Sequence, residues 1–504
     1  MLASQSGVSR GQKLCIFLFL TLLATGLRVG DFLHDHSLNH DEAADAVNLI
    51  HRSYAELLEP LDFWVVAPIG FLYVEKAVGQ MLGYSELSLR LFPLLAGIAL
   101  VPAFFLIADD VFGWEAACMG ALLLGTERRL IDWSARLKPY GLDALLALLT
   151  FYVIYLGIRR GWSTRYLLLA ALWGAFAQWF SFPMILVLAG MGAMAVCMAI
   201  SRRQWRIAIS LLAICLLWIV SFALDRSLAM NIGSTVGHVD RLWDQYFMPH
   251  SLRAIVWIPW AVTMIFSQTV RLGGWPVLPV IVLCGSCVIL WRKYGWCVVL
   301  AISPIAPALL AAALNKYPFG DRVLLYIVPL LVLIIAGGLA ELLRWRSLPS
   351  QLLAAALLLA MLIPNLTVAA SRLFHPTTAD ETRPMYAYVL AHHQPDDQIY
   401  VSFFAIPSYD YYAPRLGLDR IPAVLGTGTS TDDLKNDLAP LTGRVWFVSD
   451  LLNVTTTDQS FRESLQMANE RGRELDHFQI SHVEAHLYDL ESASAEQRGA
   501  ATRP

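Results

Sequence analysis

The chain has 504 residues, of which 57% are hydrophobic and only 15% charged, and its mean hydropathy is +0.54. Soluble globular proteins carry about 25% charged residues, so this composition excludes a water-soluble enzyme and a disordered protein. A net charge of -3 supplies no broad basic face, which excludes a soluble nucleic-acid binder. A polytopic α-helical membrane protein remains.

The first apolar segment is 14–30, preceded by Arg10 and Lys13. Those features imitate a signal peptide, but the segment reads as a retained span, because the polar cluster after it gains a purpose if held at the membrane surface. Further apolar segments lie near 88–108, 115–127, 140–158, 166–181, 183–200, 207–224, 276–292, 296–313, 322–342 and 350–370. The sequence thus predicts about 11 transmembrane helices. The run 254–266 contains Pro259; it is too short to span comfortably and reads as interfacial or re-entrant.

The positive-inside rule orients these spans. With the N-terminus cytoplasmic, Arg159-Arg160, Arg202-Arg203, Arg292-Lys293 and the Arg344–Arg346 pair all fall inside. The acidic inside loop 109–115 runs against this pattern. Residues 371–504 then lie outside, and they hold 11 Lys and Arg against 19 Asp and Glu. That tail reads as α/β, with strands at 398–405, 444–449 and 482–490, helices at 382–392 and 459–472, and a disordered last dozen residues. Two domains are expected: a membrane domain, 1–370, with a first outside loop at 31–87, and an extracytoplasmic α/β domain, 371–504. All seven cysteines lie in apolar stretches; the Cys284–Cys287 spacing reads as inert packing, not a redox pair.

Chemistry gathers on the outside face. Asn39 followed three residues later by Glu42 is an approximate capping box, which places Asp41 and Glu42 in the first turn of a helix. Asp41, Asp45, Asn48 and Arg52 then share one stripe, while Ala43, Val47 and Ile50 form a face able to lie on the membrane. A helix N-terminus favours an ionised carboxylate, so Asp41 is expected to be charged and able to accept a proton. A solvated acidic helix start would look the same.

In the outside loop 127–139, Arg128, Asp132 and Arg136 fall at helical spacing. They read either as a grip on a lipid phosphate or as an ion-pair ladder. Arg90 near the outer end of the second span, and Arg322 after Tyr317-Pro318-Phe319, are further cationic candidates. His34, His36 and His40 sit beside acidic residues. Such histidines are more often solvated, and a divalent metal would use His36 and His40. No Asp-x-Asp and no Walker A loop occur.

These segments resemble a known family. Asn39-His40-Asp41-Glu42-Ala43, Ala67-Pro68, Ser85-Glu86-Leu87-Ser88-Leu89-Arg90, Lys138-Pro139-Tyr140 and Tyr317-Pro318-Phe319 with Arg322 are similar, in this order, to GT-C glycosyltransferases that use polyprenyl-phosphate sugars. The resemblance is to the bacterial branch of the dolichyl-phosphate-mannose protein mannosyltransferases (glycosyltransferase family 39-like), and to the aminoarabinose lipid A transferases. It implies a GT-C fold in a bacterial cytoplasmic (inner) membrane. It also implies an inverting transfer of sugar from a polyprenyl phosphate to a protein, lipid or polysaccharide acceptor on the extracytoplasmic face. Asp41 would orient or deprotonate the acceptor and Glu42 would support it. Arg128, Arg136, Lys138, Arg322 and Arg90 would hold the donor phosphate, with Tyr140 and Asp45 as further candidates. Nothing in the sequence demands a cofactor. The family often carries Lys or Gln just before the proline of the first loop; here Ala67 precedes Pro68, which bears on the sugar and not on the reaction class. The rival reading is a transporter or lipid-linked sugar flippase, but charges at the outer surface and the absence of an internal repeat favour the enzyme.

Overall fold

The computed structural model describes residues 9–228, 243–345, 347–375, 381–450 and 455–490. Among these, eight helices are long and apolar enough to cross a membrane: Arg10–Phe32, Leu91–Phe112, Tyr140–Arg160, Met184–Ser201, Trp205–Leu228, Val277–Ala313, Asp321–Arg344 and Leu348–Phe374. All eleven predicted segments fall on helices, but four do not stand as separate long ones. Segment 115–127 is the short helix Trp114–Gly125, and 166–181 is Thr164–Ala177 with a 3-10 extension. Segments 276–292 and 296–313 run together in Val277–Ala313, although helical geometry breaks at Tyr294 (φ -129°, ψ 19°), beside the predicted Arg292-Lys293 connection. The run after residue 253 forms the helix Ala254–Met264 and a π-turn, Ile265–Thr269, and remains too short to be one of the eight.

Asp321–Arg344 is the centre of the bundle. It is 94% buried over its apolar window, against 22% for Arg10–Phe32 and 28% for Leu348–Phe374. A helix apolar on every side can be this enclosed. Its Gly338 lets another span approach closely, because a side chain there would meet the Ser286 backbone Cα at 2.6 Å; small residues serve this purpose between membrane helices.

Charges collect at the two ends of the bundle. At one end Arg159 pairs with Asp110 (2.8 Å) and Arg344 with Glu115 (2.7 Å), while Glu341 lies 3.2 Å from Arg344 and 3.5 Å from Lys293. The acidic 109–115 loop, anomalous in the sequence, is thus neutralised by the basic loops that share its end.

The C-terminal part is a mixed five-stranded sheet, order β2-β1-β3-β5-β4, built from β1 (Gln398–Val401), β2 (Ala423–Leu425), β3 (Gly443–Ser449), β4 (Gly472–Ile480) and β5 (Val483–Leu490). β1 is parallel to β2 and β3, and β5 is antiparallel to β3 and β4. The predicted strands correspond to β1, β3 and β5, and the helices Thr382–His392 and Thr455–Arg471 are also present. β4 escapes the sequence reading because Gly472–Ile480 is an edge strand with a mostly polar, exposed pattern. The terminal dozen residues lie outside the described part of the chain.

Candidate active site

The capping box forms as the spacing predicts. Asn39 Oδ1 accepts the Glu42 N–H (2.9 Å), and Glu42 Oε2 accepts the Asn39 N–H (3.3 Å). The helix His40–His51 starts there, with Asp41 and Glu42 in its first turn. It does not lie on a membrane surface. Residues from Glu42 to Leu49 are all buried, because the helix Ile406–Leu416 of the C-terminal domain and the helix Ile69–Leu82 pack against it. The apolar face of Ala43 and Val47 therefore belongs to the protein core.

The two neighbouring carboxylates have different fates. Glu42 is fully buried. Its Oε1 accepts from Arg90 Nε (2.8 Å) and the Leu137 N–H (2.7 Å), and its Oε2 from Arg90 Nη2 (2.8 Å). Arg90 spends its remaining bonds on the carbonyls of His36 (2.7 Å) and Ser37 (3.0 Å). The sequence assigns Glu42 to catalysis and Arg90 to phosphate; the structure instead commits both to a buried fork that ties the first loop to the second span and to loop 127–139. Burial works against the charge on Glu42, but Arg90 outweighs it and holds the carboxyl below its ordinary value. A charge-assisted bidentate pair of this kind is a strong fixing element.

Asp41 remains open, with 39% of its side chain exposed, and its Oδ2 accepts from Arg322 Nη2 at 2.8 Å. Partial burial raises its pKa, but the positive charges of Arg322, Lys138 and His40 outweigh that and hold it well below the usual carboxylate range. Asp41 is therefore ionised at neutral pH, chiefly through these cations. One turn further on, Asp45 is buried and lies 2.6 Å from Lys138 Nζ. Burial, with Asp41 and Glu42 alongside, pushes Asp45 up to about 6 despite that lysine. Burial disfavours the Lys138 charge too, yet Asp45 and Asp41 raise its pKa above the ordinary lysine value. Tyr140 adds its ring edge-on to Trp133 at 4.7 Å. The Arg322 guanidinium lies 5.5 Å from the ring centroids of both Trp133 and Trp243. Asp41, Asp45, Lys138, Tyr140 and Arg322 thus form one group from three separate parts of the chain.

Arg128, Asp132 and Arg136 do not form a ladder. The helix in this loop spans only Arg128–Asp132, and Asp132 pairs with Arg372 at the end of the last span. Arg129, not assigned from sequence, pairs with Asp321. Arg136 approaches Glu42 at 3.7 Å and lies 5.8 Å from the Trp133 ring centroid. Arg128 lines a crevice beside Leu27, Ile131 and Arg372.

His34 Nε2 meets the Arg372 carbonyl at the end of the last span (3.0 Å), while His36 and His40 face the C-terminal domain. His36 Nδ1 meets Glu381 Oε1 (2.9 Å), and His40 Nδ1 meets the Phe404 carbonyl (2.6 Å). Among the described residues no three His, Cys, Asp or Glu side chains converge as metal ligands. The same domain holds the rest of the segment before Asp41. The Ser37 hydroxyl donates to Glu381 Oε2 (2.8 Å), and the Leu38 N–H donates to the Tyr412 hydroxyl (2.8 Å). Thr382 donates to the Leu38 carbonyl (3.2 Å), and Arg383 to that of Asp35 (2.7 Å). Sequence reading missed Glu381, Arg372 and Tyr412. Of these only Arg372 gave a local signal, a basic residue at the outer end of a span.

Residues 66–224 match the family described as Dolichyl-phosphate-mannose-protein mannosyltransferase. No curated protein matches the chain by sequence. Among solved structures the chain is similar to ArnT from Cupriavidus metallidurans bound to undecaprenyl phosphate. That likeness has a TM-score of 0.55 at 12% identity and covers 95% of this chain and 98% of that one. It is also similar to the Archaeoglobus fulgidus oligosaccharyltransferase in a complex with Zn and sulfate (TM-score 0.53, 11% identity, 94% of this chain and 73% of that one). A third likeness is to the archaeal oligosaccharyltransferase AglB from the same organism, in complex with an inhibitory peptide and a dolichol-phosphate (TM-score 0.50, 10% identity, 95% and 74%). At these identities the likeness is one of fold. Together with the matched segment it bears out the resemblance drawn from the first-loop and span motifs.

Proposed function

We propose that the chain is an inverting glycosyltransferase of the membrane, taking its sugar from a polyprenyl phosphate and working at the extracytoplasmic face. The observation that carries this reading is Asp41: an open, ionised carboxylate beside Arg322 and Lys138, in a fold shared with a protein bound to undecaprenyl phosphate. The acceptor hydroxyl or amine attacks the anomeric carbon, and its proton passes to Asp41. The carbon–oxygen bond to the lipid phosphate breaks, and its electron pair leaves on the phosphate oxygen. Arg322 and Lys138 stabilise that oxygen as charge builds there.

The Asp41–Arg322 contact also gives the reaction an order. Before the donor arrives, Arg322 holds Asp41 as a weak base. A donor phosphate that draws on the Arg322 N–H groups loosens this contact and brings negative charge near Asp41, which raises its pKa and makes it a better proton acceptor. Asp45 keeps Lys138 in place from below.

The two-domain division at about residue 370, eleven crossings with a cytoplasmic N-terminus, and a bacterial inner-membrane location complete the proposal. The gathering of Asp110, Glu115, Arg159, Lys293 and Arg344 at the end opposite Asp41 supports this orientation. The test is Asp41→Asn in proteoliposomes supplied with a radiolabelled polyprenyl-phosphate sugar and an extract of envelope acceptors. Wild type should transfer label and the variant should not, while both insert and elute alike; label transferred by the variant at the wild-type rate overturns the assignment.

A further inference from the structure

The outer end of the molecule has a second cationic centre. It lies in a cleft of about 70 Å³ lined by Asp31, His36, Arg90, Asp132, Arg136 and Arg372. Below this, and sharing Asp31 and Arg372, a crevice runs between the first and last spans, walled by Leu27, Ile131, Ala369 and Leu373, with Arg128 at its head. Polar head and apolar crevice are thus continuous. The two spans that flank the crevice are among the least enclosed of the bundle. Leu33 (64% exposed) follows the end of the first of these spans, and Phe374 (79% exposed) is the last residue of the other.

The charges here are incompletely used. Among the described residues Arg128 has no hydrogen bond or ion pair from its side chain, while partial burial, and then repulsion from Arg372, held by Asp132, and from Arg129, lower its pKa. Besides its approach to the Trp133 ring, Arg136 has among the described residues only the 3.7 Å approach to Glu42, whose oxygens already serve Arg90 and Leu137. Two guanidiniums with N–H groups to spare, above an apolar crevice at a membrane boundary, match the phosphate of a lipid with hydrocarbon chains below it. They also lie on the side where the positive-inside rule disfavours arginine, so orientation does not account for them.

We propose that this cleft is a second lipid-phosphate site, separate from the donor phosphate position at Arg322 and Lys138. The phosphate ester of an anionic lipid sits between Arg128 and Arg136, and its chains descend between Arg10–Phe32 and Leu348–Phe374. Asp31 is left to accept from a hydroxyl of the headgroup. Because Arg136 also reaches Glu42, the chain neighbour of Asp41, a lipid seated here lies next to the transfer site. The proposal rests on the transferase reading only in assigning Arg322 and Lys138 to the donor.

The test uses the full chain purified in micelles, with native mass spectrometry of the lipids it retains. The probes are phosphatidylglycerol, phosphatidylcholine, polyprenyl phosphate and millimolar inorganic phosphate. Wild type should retain phosphatidylglycerol over phosphatidylcholine. The double variant Arg128→Gln with Arg136→Gln should lose phosphatidylglycerol by about tenfold or more and keep polyprenyl phosphate; Arg322→Gln should do the reverse. Ala369→Trp, which fills the crevice and spares the arginines, should also expel phosphatidylglycerol. Displacement of phosphatidylglycerol by inorganic phosphate would show a site for free phosphate and overturn the lipid assignment. Unchanged phosphatidylglycerol retention in the double variant overturns it too. Loss of polyprenyl phosphate in the double variant, to the extent seen in Arg322→Gln, would make the cleft the donor site and end the claim of a second one. Phosphatidylglycerol that competes with the acceptor in transfer assays marks the acceptor's own phosphate, and kinetically silent phosphatidylglycerol marks a resident bilayer lipid; both carry the proposal. Retention is read without any transfer, so it stands or falls apart from the Asp41→Asn result.

Discussion

Both ends of the helical bundle hold ion pairs, and they use them differently. At the end with Arg159, Lys293 and Arg344, the pairs are partly exposed and join neighbouring loops. Pairs of this kind are individually weak, and their sign and sidedness serve to orient the chain. At the other end Glu42, Arg90 and Asp45 are withdrawn from water. Desolvating such groups costs several kcal/mol each, a cost not always recovered by pairing. A protein that only needed orientation would leave them out, which supports the proposal that places the site at the buried end.

The sharpest way to break this contrast is at Asp41. Asp41→Asn should lower transfer by about 10²–10⁴-fold and leave thermal stability almost unchanged, since the residue is partly exposed; rate assays and melting curves on one preparation decide it. Arg90→Ala is the converse. It leaves Glu42 buried without its partner and should destabilise the protein by about 3–5 kcal/mol, whereas Arg90→Met with Glu42→Met should recover part of that loss; denaturation of the purified variants measures both. A third test uses pH. Asp45, raised to about 6 in the folded chain, is neutral below that value and ionised above it, so its salt bridge to Lys138 strengthens as pH rises through 6. Transfer should rise over that interval, and Asp45→Asn should remove the step. For stability the sign is opposite: the protonated form is the one burial favours, so this group's contribution is full below the ordinary aspartate pKa and lost as pH rises through about 6. The smallest effect belongs to the exposed end, where Arg159→Ala should cost about 1 kcal/mol or less and leave transfer at the wild-type rate.

Much of this architecture was legible in the chain. Long apolar runs marked every membrane helix because a span must satisfy its backbone internally and expose apolar side chains. The Asn39–Glu42 spacing located the helix start because capping is local. The partners were not legible. Arg322 meets Asp41 and Glu381 meets His36 across hundreds of residues, and no local pattern encodes such a meeting. Amphipathicity showed that Ala43 and Val47 are covered but not by what, and the C-terminal domain covers them where a membrane was expected. Helical spacing grouped Arg128, Asp132 and Arg136, but the helix stops after Asp132, so the shared face never forms.

The contacts between the C-terminal domain and residues 35–40 have a consequence for biogenesis. The segment that aims Asp41 is made among the first residues of the chain, yet Glu381, Thr382, Arg383, Phe404 and Tyr412, which hold it, are made near the end. During synthesis the helix that carries Asp41 waits with its leading segment untethered. The last span must insert, and the domain beyond it must emerge and fold, before that segment is fastened. On the proposed function, activity is thereby deferred to the final stage of assembly, and an incomplete chain in the bilayer would not draw on the lipid-linked sugar.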